Sequence, residues 1–235
     1  MRRLASTAWL DVRLQARAGL YAIGLSLAVV MGLAGRFLVP PEAMSRVLPV
    51  LFLLLLGSST YIFGAGMVLL ERGQGTLGAL RVTPVRAREY IGSKVATLSV
   101  FAFVEGVVVL LVAVGPDGFR PALLIPGALA MAVMYTLFGL IQVAPHESVT
   151  DFLVPGAIIA TLVLQLPLFP FLGLWPSPLW YAIPTFAPLT LLEGSLRPIG
   201  TGEWVYAIAY GSLTLVVCWR LVRARFARHM GLGDG

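Results

Sequence analysis

The chain has 235 residues, 58% of them hydrophobic and 12% charged, with 25 glycines and a formal charge of +6. A soluble domain is about 45–50% apolar with glycine included and about 25% charged, and a chain of this size leaves too much surface outside its core to hide such an excess. The composition excludes an ordinary soluble domain and a disordered chain, and the single cysteine, Cys218, excludes an internal disulfide.

In chain order, residues 1–18 predict an interfacial helix. Trp9, Arg13 and Arg17 recur at a spacing of four, an aromatic and basic stripe suited to lipid headgroups. Asp11, Arg13 and Arg17 interrupt the place where the apolar core of a cleavable signal peptide would lie. A membrane-spanning helix needs about 20 mostly apolar residues. Six segments qualify: 19–39, 47–70, 95–115, 122–143, 152–174 and 204–222. Pro155, Gly156, Pro167, Pro170 and Gly173 predict kinks in the fifth, which suits a helix lining a pathway. Segment 175–203 is apolar but broken by prolines. Its run Phe186–Leu192 predicts a re-entrant half-helix, since broken backbone at membrane depth must be covered by protein or line a cavity. Trp175, Trp180, Tyr181 and Phe186 suit the outer interface. The expected fold is all-α and integral to the membrane, with residues 1–235 as one transmembrane domain.

Charge sets the expected orientation. Thirteen of the 17 basic residues fall before the first span, between the second and third, or around the end of the sixth; Arg36, Arg46, Arg120 and Arg197 fall on the other side. By the positive-inside rule both termini are cytoplasmic. The basic charge is then a membrane signature and implies no nucleic acid. Connectors 40–46, 116–121 and 144–151 are short, so no water-soluble domain is expected.

Segment 71–94 is the long cytoplasmic connector. Thr76 is placed to cap a short helix from Leu77 to Val82, and Pro84 ends it. Leu77 and Leu80, three apart, would then present one apolar face of the kind that seats in a partner's groove.

The same segment resembles the signature of ABC-2-type transporter permeases. Glu71, Gly75-Thr76-Leu77, Leu80, Thr83-Pro84-Val85, Glu89-Tyr90 and Lys94 match that family's pattern in order and spacing. Gly78 departs from it, standing where the family often has glutamate. The likeness extends over nearly the whole chain, and within the family it is greatest to permeases of small bacterial multidrug exporters, fluoroquinolone exporters among them. The Pro145-His146-Glu147-Ser148 connector adds to this. Haem exporters and lipid or polysaccharide exporters of the ABC-2 type are alternatives. The resemblance implies a permease in the bacterial cytoplasmic membrane, working with ABC ATPase subunits and with a second copy of itself or a related permease. It implies an amphipathic small-molecule substrate in contact with membrane lipid. Glu71, Gly75, Thr76, Leu77, Leu80, Arg81, Thr83, Pro84, Val85, Arg86, Arg88 and Glu89 would couple the permease to the ATPase. Leu77 and Leu80 would be the anchors.

A phosphate-binding loop requires Gly-x-x-x-x-Gly-Lys-Ser/Thr. The single lysine, Lys94, lies between Ser93 and Val95. No cofactor is therefore expected in this chain, and ATP with Mg would be bound by the partner subunit. Glu105 lies midway along the third span, where a charge costs about 2.5–3.5 kcal/mol. It is a candidate for attracting a cationic substrate or for a hydrogen bond between helices, with Gln142 or Gln165 as partner. Glu105, Gln142 and Gln165 are the candidate substrate-pathway residues. His146, Glu147 and Asp151 are too few for a structural zinc site. Ser148, three before Asp151, reads better as a helix cap, and no metal is expected. An intramembrane serine protease built on Ser26 would need a histidine at its depth, and His146 and His229 are placed elsewhere. An ion-coupled secondary transporter is the other rival class, but no internal repeat is visible.

Overall fold

The computed structural model describes residues 2–81, 86–116, 121–175 and 177–230. Of these 85% are helical, with no strand among the described residues. Helix α1 is Arg2–Arg17 and α2 is Leu20–Leu38. Pro41–Gly73 forms one rod, composed of α3 (Met44–Phe52), a π turn (Leu53–Gly57) and α4 (Ser58–Gly73). Helix α5 is the short Thr76–Arg81, α6 is Ala87–Ala113 and α7 is Pro121–Val143. Helix α8 (Val149–Ile159) runs into a second π turn, Ala160–Leu164, followed by α9 (Leu168–Phe171). A 3-10 turn (Pro178–Ala182), α10 (Phe186–Gly194) and α11 (Thr201–Met230) complete the chain.

Five helices are long and apolar enough to cross a membrane: Leu20–Leu38, Pro41–Gly73, Ala87–Ala113, Ala122–Val143 and Thr201–Met230. They correspond to the expected first, second, third, fourth and sixth spans. The expected fifth, 152–174, is not one helix. Its straight part ends at Leu164, about 24 Å from its start at 1.5 Å per residue, short of the roughly 30 Å hydrocarbon core. Pro167 explains the break: it offers no N–H to continue the helix and disfavours helical backbone just before it. The chain then turns at Gly173, whose φ is +77°.

Packing is built on α7, which touches α4, α6, α10 and α11. Helix α2 lies against α6 through Gly24, Ala28, Gly32 and Gly35, all buried on one face. Small residues let helices approach closely where no hydrophobic driving force separates helix from lipid. The outward faces stay apolar. Val30, Phe37, Leu38, Leu153, Val154, Leu162, Val205 and Leu213 are all exposed, an amount of open hydrophobic surface that suits a bilayer.

Both π turns meet at Tyr135 of α7. Its ring fills the space beside Gly57, where a Cβ would come within 2.7 Å of it. Its hydroxyl donates to the Leu164 carbonyl at 2.7 Å, and Thr185 donates to the same oxygen at 2.8 Å. A π turn disturbs the regular helical ladder, and these side chains supply donors to its last carbonyl.

Candidate functional site

The segment expected to couple to a partner, 71–94, takes in the end of α4, the short α5 and the start of α6. Helix α4 runs on to Gly73, a turn with Gly75 at φ +72° leads into α5, and α6 begins at Ala87. Thr83, Pro84 and Val85 lie outside the described residues, and Leu80 and Arg81 are described in backbone only. The Thr76 hydroxyl donates to the Glu71 carbonyl at 2.8 Å, fastening α5 to the end of α4. Leu77 is buried in the chain's own core, 7% exposed. That burial fastens the start of α5 to the bundle. Gly78 faces open space. Arg86 and Arg88 are exposed, and Glu89 accepts the Arg86 backbone N–H at 3.0 Å, capping α6.

At the root of this segment lies a buried charge cluster. Lys94 of α6 is fully buried, with its Nζ 2.6 Å from Glu71 Oε1 and 3.0 Å from Asp11 Oδ1. Tyr90 donates its hydroxyl to the second Glu71 oxygen, and its ring face lies 4.6 Å from the Lys94 ammonium. Ser93 donates to the second Asp11 oxygen. Two carboxylates around one ammonium leave an excess negative charge, and the two hydroxyls offset part of its desolvation. One turn further on, Gln15 donates to Thr97 at 2.8 Å and accepts from Tyr21 at 2.7 Å. Since Asp11 pairs with residues 93 and 94 and Gln15 with 97, α1 and α6 run side by side in the same sense here.

Helix α1 turns the expected aromatic and basic stripe outward and adds a buried polar face. Its Asp11 and Gln15 are buried against α6, while Trp9, Arg13 and Arg17 lie on exposed surface, with the Arg13 guanidinium 5.0 Å from the Trp9 ring. The sequence did hold a signal: Asp11 and Gln15 are four apart, and Ser93 and Thr97 are four apart. Two further ties hold the root. Arg72 donates to the carbonyls of Ala144 (3.2 Å) and His146, and Arg225 donates to Ile141 at 3.1 Å, so arginines close the C-terminal end of α7. Phe226 of α11 packs on Tyr90 at 5.9 Å.

The three candidate pathway residues do not converge. Glu105 is fully buried; Oε2 accepts from Ser59 at 2.8 Å and Oε1 has no hydrogen-bond partner. Its room is provided by Gly24 of α2, where a Cβ would stand 2.1 Å from Oε1. Gln142 accepts from Tyr61 between α4 and α7, leaving its own amide nitrogen unpaired. Gln165 donates to Ser58 at 2.7 Å and lines a cavity of about 230 Å³ between α4 and α8, with Tyr61, Phe152, Leu153 and Gly156. Ser148 accepts the Asp151 N–H at 3.2 Å, capping α8, and no cluster suited to a metal occurs among the described residues.

At the opposite end of the bundle a polar cavity of about 370 Å³ is lined by Arg46, Phe171, Tyr181, Phe186, Glu193, Arg197 and Glu203 among others. Arg197 bonds Glu193 at 2.6 Å and approaches Glu203 at 3.6 Å. The hydrogen bond to Glu193 raises the arginine's pKa further. No pattern in the sequence had marked these residues as a group.

Comparison with known proteins gives the same family throughout. A fluoroquinolones export permease protein family model matches residues 2–231. Two proteins of Mycobacterium tuberculosis, from strains CDC 1551 / Oshkosh and ATCC 25618 / H37Rv, both named fluoroquinolones export permease protein, are 30% identical over 172 residues, 72% of this chain and 72% of each relative. With its long apolar helices and its charged cluster at one end, the chain belongs to the fluoroquinolones export permease protein family.

Proposed function

We propose that this chain is the membrane subunit of an ATP-driven exporter in the bacterial cytoplasmic membrane, moving amphipathic drug-like molecules outward. ATP and Mg are bound by separate ABC ATPase subunits, which dock on segment 74–86. Both termini are cytoplasmic. The broken stretch from Val149 to Phe171 serves as a sixth crossing, with α10 re-entering from the outside. Two such subunits, identical or related, enclose the pathway.

The buried cluster Asp11–Lys94–Glu71 carries this reading. It ties both roots of the docking segment to each other and to α1, while Arg72 ties the same root to α7. A push on the segment is thus shared among α1, α4, α6 and α7 instead of being absorbed by a loose loop. Family membership supports a drug-like cargo. The cavity between α4 and α8, apolar but edged by Ser58 and Gln165, suits such a molecule near the pathway.

Inside-out vesicles containing the chain and its ATPase test the proposal. A fluorescent fluoroquinolone should accumulate inside only with hydrolysable ATP. Accumulation driven by a pH gradient, without ATP, would replace this reading with an ion-coupled transporter.

A further inference from the structure

The end of the bundle away from the docking segment has few charges. The sequence places only Arg36, Arg46, Arg120 and Arg197 there as cations, and Glu42, Asp117, Glu193 and Glu203 as anions. Four of these eight meet at one cavity of about 370 Å³. They come from three separate elements: Arg46 from α3, Glu193 from α10 with Arg197 just beyond it, and Glu203 from the first turn of α11. Phe171, Tyr181 and Phe186 supply aromatic surface to the same cavity. These rings pack on one another, Tyr181 on Phe186 at 4.8 Å and Phe171 on Phe186 at 5.5 Å.

The charges are unequally used. Arg197 is engaged by both glutamates, so that group holds one negative charge in excess. Arg46 has an exposed side chain and no hydrogen bond or ion pair among the described residues. The cavity is therefore neutral as a whole but divided, with a free guanidinium contributed by one helix and a net negative group by two others. Guanidinium pairs with carboxylate through parallel hydrogen bonds, and aromatic walls favour a flat apolar body.

We propose that this cavity is a binding site for aromatic zwitterions, in which Arg46 takes the carboxylate and the Glu193–Arg197–Glu203 group takes the cationic amine. This rests on the export reading above and gives it a substrate class: a fluoroquinolone has a carboxylate on its flat ring system and a basic amine at the far end. Lying at the end remote from the docking segment, the cavity is a station for release and not for loading.

The test uses the full chain in lipid nanodiscs and three fluorescent probes: a fluoroquinolone zwitterion, its methyl ester, which keeps only the positive charge, and its N-acylated form, which keeps only the negative. Arg46→Gln retains side-chain donors and alters a group that makes no hydrogen bond or ion pair among the described residues. It should weaken the zwitterion and the N-acylated acid about tenfold, the scale of one charge-assisted hydrogen bond, and leave the ester unchanged. Glu203→Gln, which can still accept the Gly200 N–H that Glu203 holds at 2.7 Å, should weaken the zwitterion and the ester and spare the N-acylated acid. Unchanged zwitterion binding in Arg46→Gln, or equal loss of all three probes, would overturn the site. ATP-driven export with wild-type kinetics in both variants would overturn it too, while leaving the export function standing. Failure of the wild-type complex to move any fluoroquinolone would remove both.

Discussion

Lys94 and Glu71 are 23 residues apart in sequence and 2.6 Å apart in space, so one buried ion pair closes the base of the segment between α4 and α6. Asp11 adds a second carboxylate at 3.0 Å and brings α1 into the closure. Removing one partner from a buried ion pair costs about 3–5 kcal/mol, because the remaining charge stays desolvated. Lys94→Met would leave two carboxylates facing each other with no cation between them. We expect a large loss of thermal stability in detergent, with Glu71→Gln added to it restoring part. Melting of Lys94→Met at the wild-type temperature would show that the cluster does not hold the segment.

Asp11→Asn acts in the opposite direction on charge. It removes the excess negative charge and leaves Lys94 paired with Glu71, while the amide oxygen still accepts from Ser93. Stability should change by about 1 kcal/mol or less, within the range of a single net hydrogen bond. Export should fall much more than stability, since α1 would no longer be ionically tied to the docking segment. Export and ATP hydrolysis measured side by side check this; unchanged export would assign α1 a purely anchoring role.

Gly24 tests the packing of Glu105. A Cβ at position 24 would stand 2.1 Å from Glu105 Oε1 and 2.5 Å from the Phe101 ring. Gly24→Ala should cost about 1–3 kcal/mol by overpacking, and Glu105→Ala in the same chain should recover part by vacating the space. Thermal unfolding of the single and double variants measures the coupling. Additive losses would mean that the strain falls on Phe101 alone.

Orientation gives a further check. Arg86 is exposed and Arg197 partly exposed, near opposite ends of the bundle. Under the proposed orientation, a cysteine at 86 should react with an impermeant thiol reagent only from the cytoplasm and one at 197 only from outside. The natural Cys218 is buried and serves as the silent background. The reverse pattern would invert the topology.

The apolar spans were legible because about 20 residues of hydropathy leave little choice of structure in a bilayer. Five of the six expected spans appear with boundaries shifted mainly at their polar ends, where helix continues past the hydrocarbon-like stretch, as Ala87–Lys94 does in α6. The fifth was expected to kink at its prolines, and its helix ends at Leu164, before Pro167; hydropathy does not register the missing N–H that limits its length. The cluster at Lys94 was half visible. Glu71 and Lys94 were both in the motif, yet only the fold brings Asp11, 83 residues away from Lys94, to the same ammonium. The burial of Leu77 in the chain's own core was not legible, because spacing within a short polar segment does not say which way an apolar side chain turns. The cavity around Arg46 was invisible, since its residues come from four distant stretches with no shared pattern.

Tyr135 joins the rod Pro41–Gly73 to the shorter α8 stretch. Its ring occupies the space beside Gly57 in one π turn, and its hydroxyl reaches Leu164 at the end of the other. Gly57→Ala would force a Cβ to 2.7 Å from a ring that is fully buried and has no room to withdraw, so this variant should destabilise the whole bundle. Tyr135→Phe is milder. The ring stays, and Thr185 still donates to the Leu164 carbonyl, so the loss should be about 0.5–1.5 kcal/mol. Its effect should be local, because the bond removed is the one holding the second π turn to α7. Hydrogen exchange should therefore quicken over residues 160–166 and stay unchanged in α6 and α11. Adding Thr185→Val would remove both side-chain donors from that carbonyl and should cost more than the two single changes summed, since a buried acceptor left unsatisfied bears its full desolvation penalty. Faster exchange spread evenly over every helix in Tyr135→Phe would mean that Tyr135 supports the core as a whole and does not link the two turns.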